Sequence, residues 1–577
     1  MKSQNENSKV FLRSWFVISL FLIFMFALFL RAVYLQLLPN TYSKKGDVAG
    51  IGIVSVSAHR GAIMDRNGEQ LAISTPVDSI WAIPRKLLKE KNLQKLASLL
   101  NRSEDELSKF LRARIKRDFV YLKRHADPIL VDKIKKLGIK GVLTQPEYKR
   151  YYPTAEVTSH IIGVTNIDDK GQEGIELAYN KILSGKSGKK RVLKDRLGSV
   201  IRDIENVKSS EPGTDLQLSI DKRIQFLAYR ELTAAVKNHQ AIRGTLVMLD
   251  TKTGEVIAMV GQPSFNPNNR SWSKDAARNR SVIDVFEPGS TMKVFTIAAG
   301  LESGIFTPKT IINTSPGTFK VGNHSISDQR DYGSIDVTTV ITKSSNIGAS
   351  KIALALRPEY FYDVLSRFEF GQTTGSGFPG ERSGTLRSFD TWTEHDMATL
   401  SFGYGVEVTS LKLAHAYSVI ANDGIKLPVT FFKTDNFVEG ERVISKKIAK
   451  QIRDMLETVV SSKGTARKAA IKGYRVIGKT GTTHINNPQG GYFDDRYRSL
   501  FVGIVPASNP RFVTVVTIDE PNKDTGHFGG AVAAPVFAKV MEGSLRILNI
   551  PPDNLNNFNE PIIAGSIRPK IFQGYEE

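Results

Sequence analysis

Ser290 and Lys293 lie three residues apart in Phe286-Glu287-Pro288-Gly289-Ser290-Thr291-Met292-Lys293-Val294-Phe295. A serine hydroxyl is an effective nucleophile only when a nearby base takes its proton, and residues at i and i+3 of a helix share a face. Pro288 and Gly289 interrupt the preceding segment, while Thr291 to Leu301 lacks proline and carries Val294, Ile297, Ala298 and Leu301 at helical spacing. This predicts a buried helix opening at Ser290, with the Lys293 amine beside the hydroxyl. Unpaired N–H groups at the helix start would favour an oxyanion forming there. A free lysine, with a pKa of about 10.4, is protonated at neutral pH and useless as a base. Burial on the apolar helix and repulsion from a second cation, Lys479, are the features that would free its lone pair.

Alone, the pair also suits a capping serine with a solvated lysine. Two later stretches shift the balance: Ser344-Ser345-Asn346, ahead of the helix-like run Ile347 to Leu354, and Lys479-Thr480-Gly481-Thr482, after the strand-like Tyr474 to Ile477. For Ser344 and Asn346 the plainer reading is a hydroxyl and an amide capping the helix that follows. Gly473 to Thr480 also fits a phosphate-binding loop, Gly-Tyr-Arg-Val-Ile-Gly-Lys-Thr. Such a loop needs flexible residues between its glycines and a helix starting at the lysine. Tyr474, Val476 and Ile477, with Thr480-Gly481-Thr482-Thr483 beyond, read instead as a continuing strand, which argues against nucleotide binding.

The elements that must position these groups form an α+β chain too long for one core: 577 residues predict two or three units outside any membrane. Residues 15–30 are uncharged and reach about 24 Å as a helix. With Arg31 snorkelling, the predicted transmembrane helix covers 15–38. Lys2, Lys9 and Arg13 precede it, so residues 1–14 are expected in the cytoplasm and the remainder across the membrane. A cleaved signal peptide is the alternative, but the apolar run is long and no small-x-small site follows it. Net charge is +21, yet a chain placed outside the cytoplasm is not expected to meet nucleic acid. The absence of cysteine excludes thiol catalysis, disulfides and cysteine-held metals, and the nine histidines form no His-Glu-x-x-His pattern, so no metal or cofactor is expected.

Asp65 to Gly68 reads as a turn between short strands. Ser103 and Glu106 form a capping box, and Asp127-Pro128 to Gly138 has a cap, a first-turn proline and a terminating glycine. The many Lys and Arg residues of 87–138 read as a solvated face, with anionic lipid or cell wall as the alternative partner. Strand signals return at Tyr148 to Tyr152, and a polar hairpin region covers Val157 to Gly213, ending in the linker Glu211-Pro212-Gly213. A strand at Leu216 to Ile220, a helix from Asp221 to about Val236, and a hairpin of Gly244 to Leu249 with Glu255 to Val260 follow. Helices dominate to about Asn422; strands resume at Tyr474 to Thr482, Ser499 to Val505 and Arg511 to Ile518, before a helix at Ala533 to Leu548. This order predicts an antiparallel sheet completed by both ends of a domain, with a helical lobe inserted and the active site between them. The tail beyond Ile550, rich in Pro and Asn, is expected to be loosely ordered.

Ser290-x-x-Lys293, Ser344-x-Asn346 and Lys479-Thr480-Gly481, in that order, resemble the signature of penicillin-binding proteins and class A β-lactamases, with Ser345 where Asp is usual. Arg60-Gly61-Ala62-Ile63-Met64-Asp65-Arg66-Asn67-Gly68, Arg150-Tyr151-Tyr152-Pro153, Gly171-Gln172-Glu173-Gly174-Ile175-Glu176 and Arg278-Asn279-Arg280 extend the match. Over roughly residues 10–545 the chain is similar to class B penicillin-binding proteins, particularly the division-specific transpeptidases of Gram-negative bacteria. The resemblance implies an elongated α+β pedestal at 39–213, a penicilloyl-serine transferase domain at 214–549, and a tail at 550–577. It implies a peptidoglycan D,D-transpeptidase of the inner membrane, catalytic domain in the periplasm, taking D-Ala-D-Ala stem peptides as donors and an amine as acceptor. β-Lactams, a polytopic glycosyltransferase and other division proteins at the septum are the implied partners. Ser290 would attack, Lys293 act as base, Ser344 relay the proton and Asn346 hold the substrate amide. Lys479, Thr480 and Thr482 would bind the terminal carboxylate, Gly481 would let the backbone approach, and the N–H groups of Ser290 and Thr482 would form the oxyanion hole. A side-wall transpeptidase, and a β-lactam sensor or β-lactamase-like protein, are the alternatives.

Overall fold

A computed structural model describes residues 3–37, 50–194, 200–269, 271–436, 438–487 and 489–554. The tail expected beyond Ile550 falls, past 554, outside the described residues. Helix α1 (Ser3–Leu37) contains the 23-residue stretch Leu12–Tyr34, of mean hydropathy 2.6 and with no buried residue. Among the described residues it is the one helix long and apolar enough to cross a membrane.

The chain divides into two compact units that interleave in sequence: 1–59, 76–148 and 185–213 form the first, and 60–75, 149–184 and 214–577 the second. The first unit has its own core, including Ile80, Leu87, Leu96, Leu107, Leu111, Val120 and Ile134. Its helix ends follow local chemistry. Ser103 accepts from the Glu106 amide while Glu106 accepts from the Ser103 amide, both at 3.1 Å; Asp127 accepts from the Ile129 amide at 2.8 Å to start Pro128–Lys136. The polar hairpin is realised as Gly188–Lys194 against Val200–Lys208, with Ile51–Val56 as the third antiparallel strand.

The second unit is built on a five-stranded antiparallel sheet of β1 (Arg243–Asp250), β2 (Val256–Gln262), β3 (Ile477–Asn486), β4 (Tyr492–Val505) and β5 (Phe512–Asp519), in the order β2-β1-β5-β4-β3. Helix α2 (Lys222–Asn238) comes before β1, capped by the Asp221 carboxylate. Between β2 and β3 run α3 (Lys293–Glu302), α4 (Val337–Lys343), α5 (Asn346–Leu354), α6 (Ser410–Ala421) and α7 (Lys446–Val460), and α8 (Gly529–Ile547) closes the fold. Helices α2 and α8 pack on each other and on the sheet, while α6, buried along its length, packs on β1 and β5. Covered strands need no alternation, so β2 and β5 are apolar-rich and buried throughout. Two strand ends differ from expectation. β3 begins at Ile477 because Tyr474 turns back to bridge Ile471, and β4 begins at Tyr492, well before Ser499, because β3 and β4 continue as a polar hairpin whose partly exposed residues carry no apolar periodicity.

One buried ion cluster ties together three sequence motifs of the second unit. Glu176, fully buried, accepts from Arg60 Nε at 2.7 Å and Arg150 Nε at 2.6 Å, and its carbonyl accepts from Arg60 Nη2 at 3.0 Å. Arg60 also donates to Asn180 and Ser184, each at 2.9 Å. Two cations on one carboxylate, with most remaining donors hydrogen-bonded, is an arrangement in which charge can be buried tolerably.

Candidate active site

A 3-10 turn, Gly289–Met292, precedes α3, so the α-helix proper starts at Lys293 and Ser290 sits in the tighter turn before it. Gly289 has φ of +54°, and a Cβ there would run into the Thr483 side chain, which explains glycine before the serine. Ser290 is half-buried and Lys293 wholly buried. Lys293 Nζ lies 2.9 Å from Ser290 Oγ, 2.6 Å from the Ser344 carbonyl oxygen, 2.7 Å from Asn346 Oδ1 and 3.1 Å from Ser344 Oγ. Burial pushes the Lys293 amine down to about 7, and the negative charge of Asp328 works in the opposite direction.

Ser344 reaches this amine because it takes a left-handed conformation, φ 61° and ψ 42°, at the C-cap of α4. That conformation costs a non-glycine residue on the order of 1–2 kcal/mol, and it turns both the carbonyl and the hydroxyl of Ser344 to Lys293. Ser345 then caps α5, accepting from the Gly348 amide at 2.9 Å. Asn346 uses both ends of its amide in this state: Oδ1 accepts from Lys293, and Nδ2 donates to the Ser327 carbonyl at 3.0 Å.

Strand β3 is the sheet edge next to the turn that carries Ser290. Lys479, fully buried, donates to Ser344 Oγ at 2.8 Å and to the Thr480 carbonyl at 3.1 Å. Burial first, and then the Lys293 charge, push Lys479 well below its ordinary value. Burial is the first cause of the depression in both lysines, and repulsion between two cations that share the Ser344 hydroxyl disfavours charging both at once. The Thr480 hydroxyl shares a 2.9 Å hydrogen bond with Thr465, and Thr482 Oγ1 accepts from the Gly529 amide at 3.1 Å where α8 begins. A Cβ on Gly481 would meet Leu500, the Pro288 carbonyl oxygen and Thr291 at 3.2 Å each, so this glycine lets the edge strand press on the turn that carries Ser290. An edge strand leaves half of its backbone groups unpaired by the sheet.

Three contributors escaped the sequence reading. Asp328 accepts from the Ser345 hydroxyl and the Asn346 amide, both at 2.5 Å. Thr465 holds the Thr480 hydroxyl. Glu287, raised by burial, accepts from the Gly405 amide at 2.8 Å and from the Tyr492 hydroxyl at 2.9 Å, linking the β3–β4 hairpin to the segment entering Ser290. The one available signal was the missing acid at 345, which called for a carboxylate from elsewhere. Among the described residues no group of three or more His, Asp or Glu side chains could hold a metal ion.

A serine hydroxyl against a buried, deprotonatable amine, beside the edge of a helix-covered antiparallel sheet, is built for acyl transfer. The chain belongs to the penicillin-binding proteins of class B: the penicillin binding protein transpeptidase domain matches residues 244–542, and the penicillin-binding protein dimerisation domain matches 55–218. It is 43% identical to the peptidoglycan D,D-transpeptidase FtsI of Escherichia coli, over 90% of this chain and 88% of that protein. It is 42% identical to the probable peptidoglycan D,D-transpeptidase PbpC of Pseudomonas aeruginosa, over 90% and 92% of the two chains. Among solved structures, penicillin-binding protein 3 of Mycobacterium tuberculosis in complex with aztreonam superimposes with a TM-score of 0.68 at 27% identity, covering 86% of this chain and 98% of that one. The transpeptidase domain of Burkholderia pseudomallei penicillin-binding protein 3 gives 0.54 at 43% identity, covering 58% and 97%. The chain is a penicillin-binding D,D-transpeptidase.

Proposed function

We propose that the chain cross-links peptidoglycan stem peptides through an acyl-enzyme on Ser290 during septal wall synthesis. The observation that carries the catalytic part is the hydrogen bonding of Lys293. A neutral amine has two N–H donors and one lone pair. With the donors on the Ser344 carbonyl and Asn346 Oδ1, the lone pair is left for the Ser290 hydroxyl, 2.9 Å away. Ser290 Oγ bonds to the penultimate D-Ala carbonyl carbon as its proton passes to Lys293. The C–N bond to the terminal D-Ala then breaks, and Ser344, held between Lys293 and Lys479, relays the proton to the departing amine. An acceptor amine reverses these steps, forming the cross-link and restoring the Ser290 hydroxyl. The backbone N–H groups of Ser290 and Thr482 stabilise the oxyanion. Lys479, Thr480 and Thr482 bind the terminal carboxylate, which in turn favours the ammonium form of Lys479. Asn346 holds the substrate amide, and Gly481 lets the strand approach.

In this reading residues 1–14 are cytoplasmic, 15–38 cross the inner membrane, 39–213 form a periplasmic pedestal, 214–549 carry out catalysis, and 550–577 form a tail. A polytopic glycosyltransferase supplies nascent glycan beside it, with other division proteins at the septum. Identity to an enzyme named FtsI supports the septal assignment. The kinetic test is nitrocefin turnover. A transpeptidase whose second substrate is an amine activates water poorly, so one equivalent should be consumed quickly and then almost none. Turnover of many cycles per second would contradict the reading in favour of a hydrolase.

A further inference from the structure

The segment joining α4 to α5 contributes three atoms to the surroundings of Lys293, and each must be held while the chain passes through the strained Ser344. The side chain that holds it comes from outside both helices. Asp328 follows the short strand His324–Ser327. Its Oδ2 accepts from the Ser345 hydroxyl at 2.5 Å, and its Oδ1 accepts from the amides of Asn346 at 2.5 Å and Ile347 at 3.2 Å. The neighbouring Ser327 carbonyl takes the Asn346 side-chain N–H, and Asp328 is itself tied through its amide to the Gly317 carbonyl at 3.1 Å. One carboxylate thus satisfies two backbone donors at the start of α5 and fixes the side chain of its cap.

We propose that Asp328 is a positioning residue for acyl transfer: its carboxylate clamps Ser344 and Asn346 against Lys293 and supplies the negative charge that serine at 345 does not. This rests on Lys293 being the base. The charged or titratable groups set around Lys293 are few. Lys479 comes from β3 and Asp328 from the strand end, with Arg330 and Tyr332 beside Asp328; Ser290, Ser344 and Asn346 are neutral. Among the described residues, Asp328 is the negative charge that acts on Lys293. A carboxylate favours the ammonium form, so it keeps the base from becoming too weak to take a proton, and its removal should let Lys293 lose its proton at lower pH.

The experiment is the pH dependence of penicillin acylation in the full chain, read as the rate at pH 6 divided by the high-pH plateau. Taking the ratio within one variant cancels any inactive fraction. Wild type should rise through about pH 7 and keep about a tenth of its plateau at pH 6. Asp328→Asn should have a lower plateau but keep a larger share of it at pH 6, its limb displaced to acid. Asp328→Glu, which retains the charge, should return the limb to the wild-type position even if the plateau stays low. Ser345→Ala, which loosens the clamp without removing the charge, should lower the plateau and leave the limb in place. An unmoved limb in Asp328→Asn, or a displacement of equal size in Asp328→Glu or Ser345→Ala, would overturn the proposal while leaving the Lys293 reading intact. A wild-type profile with no limb near pH 7 would remove Lys293 as base, and this proposal with it.

Discussion

Lys293 gathers four oxygens around one buried amine, and burial lowers its affinity for a proton. Lys293→Arg separates base from anchor. Arginine keeps the charge and approximate length but does not deprotonate in a protein. Penicillin acylation should therefore collapse by about 10² to 10⁴ in Lys293→Arg, as in Lys293→Ala. Stopped-flow acylation within about tenfold of wild type would make the lysine an electrostatic anchor only. At this scale much was legible: Ser290, Lys293, Ser344, Asn346 and Lys479 all meet within hydrogen-bond distance. Asp328 was not legible, since the missing acid at 345 asks for a carboxylate without saying which, and no local pattern links Asp328 to a helix starting 18 residues later.

Among elements, the sheet was readable and its joints were not. Strands covered on both faces are short apolar runs, so β1, β2 and β5 stood out, whereas the polar extension of the β3–β4 hairpin carries a reach that periodicity cannot see. The motifs around Arg60, Arg150 and Glu176 were visible as separate stretches. Their meeting depends on contacts spanning 116 and 26 residues, beyond any local signal. With the side chains of all three almost fully buried, Glu176→Ala strands two guanidinium charges. Breaking a buried pair of this kind costs roughly 3–5 kcal/mol, so the urea midpoint of the second unit should fall steeply. A loss below about 1 kcal/mol would mean that the cluster behaves like an exposed surface pair.

For the molecule as a whole, the sequence declares an apolar N-terminal helix followed by a basic chain carrying three spaced motifs, and the structure places all three motifs in one compact unit. The interleaving of the two units was not legible, because the segments 60–75 and 149–184 are ordinary hairpin and loop stretches whose allegiance is set by long-range packing. The strongly positive charge exerts no visible demand on the catalytic centre, where two buried lysines are instead driven toward neutrality.

If the fold presents one acylable serine, intact-mass analysis of the full chain in detergent after treatment with penicillin, followed by peptide mapping, will show it. A single penicilloyl adduct is expected on the peptide containing Ser290, and none in Ser290→Ala. An adduct mapped to another residue, or undiminished labelling of Ser290→Ala, would contradict it.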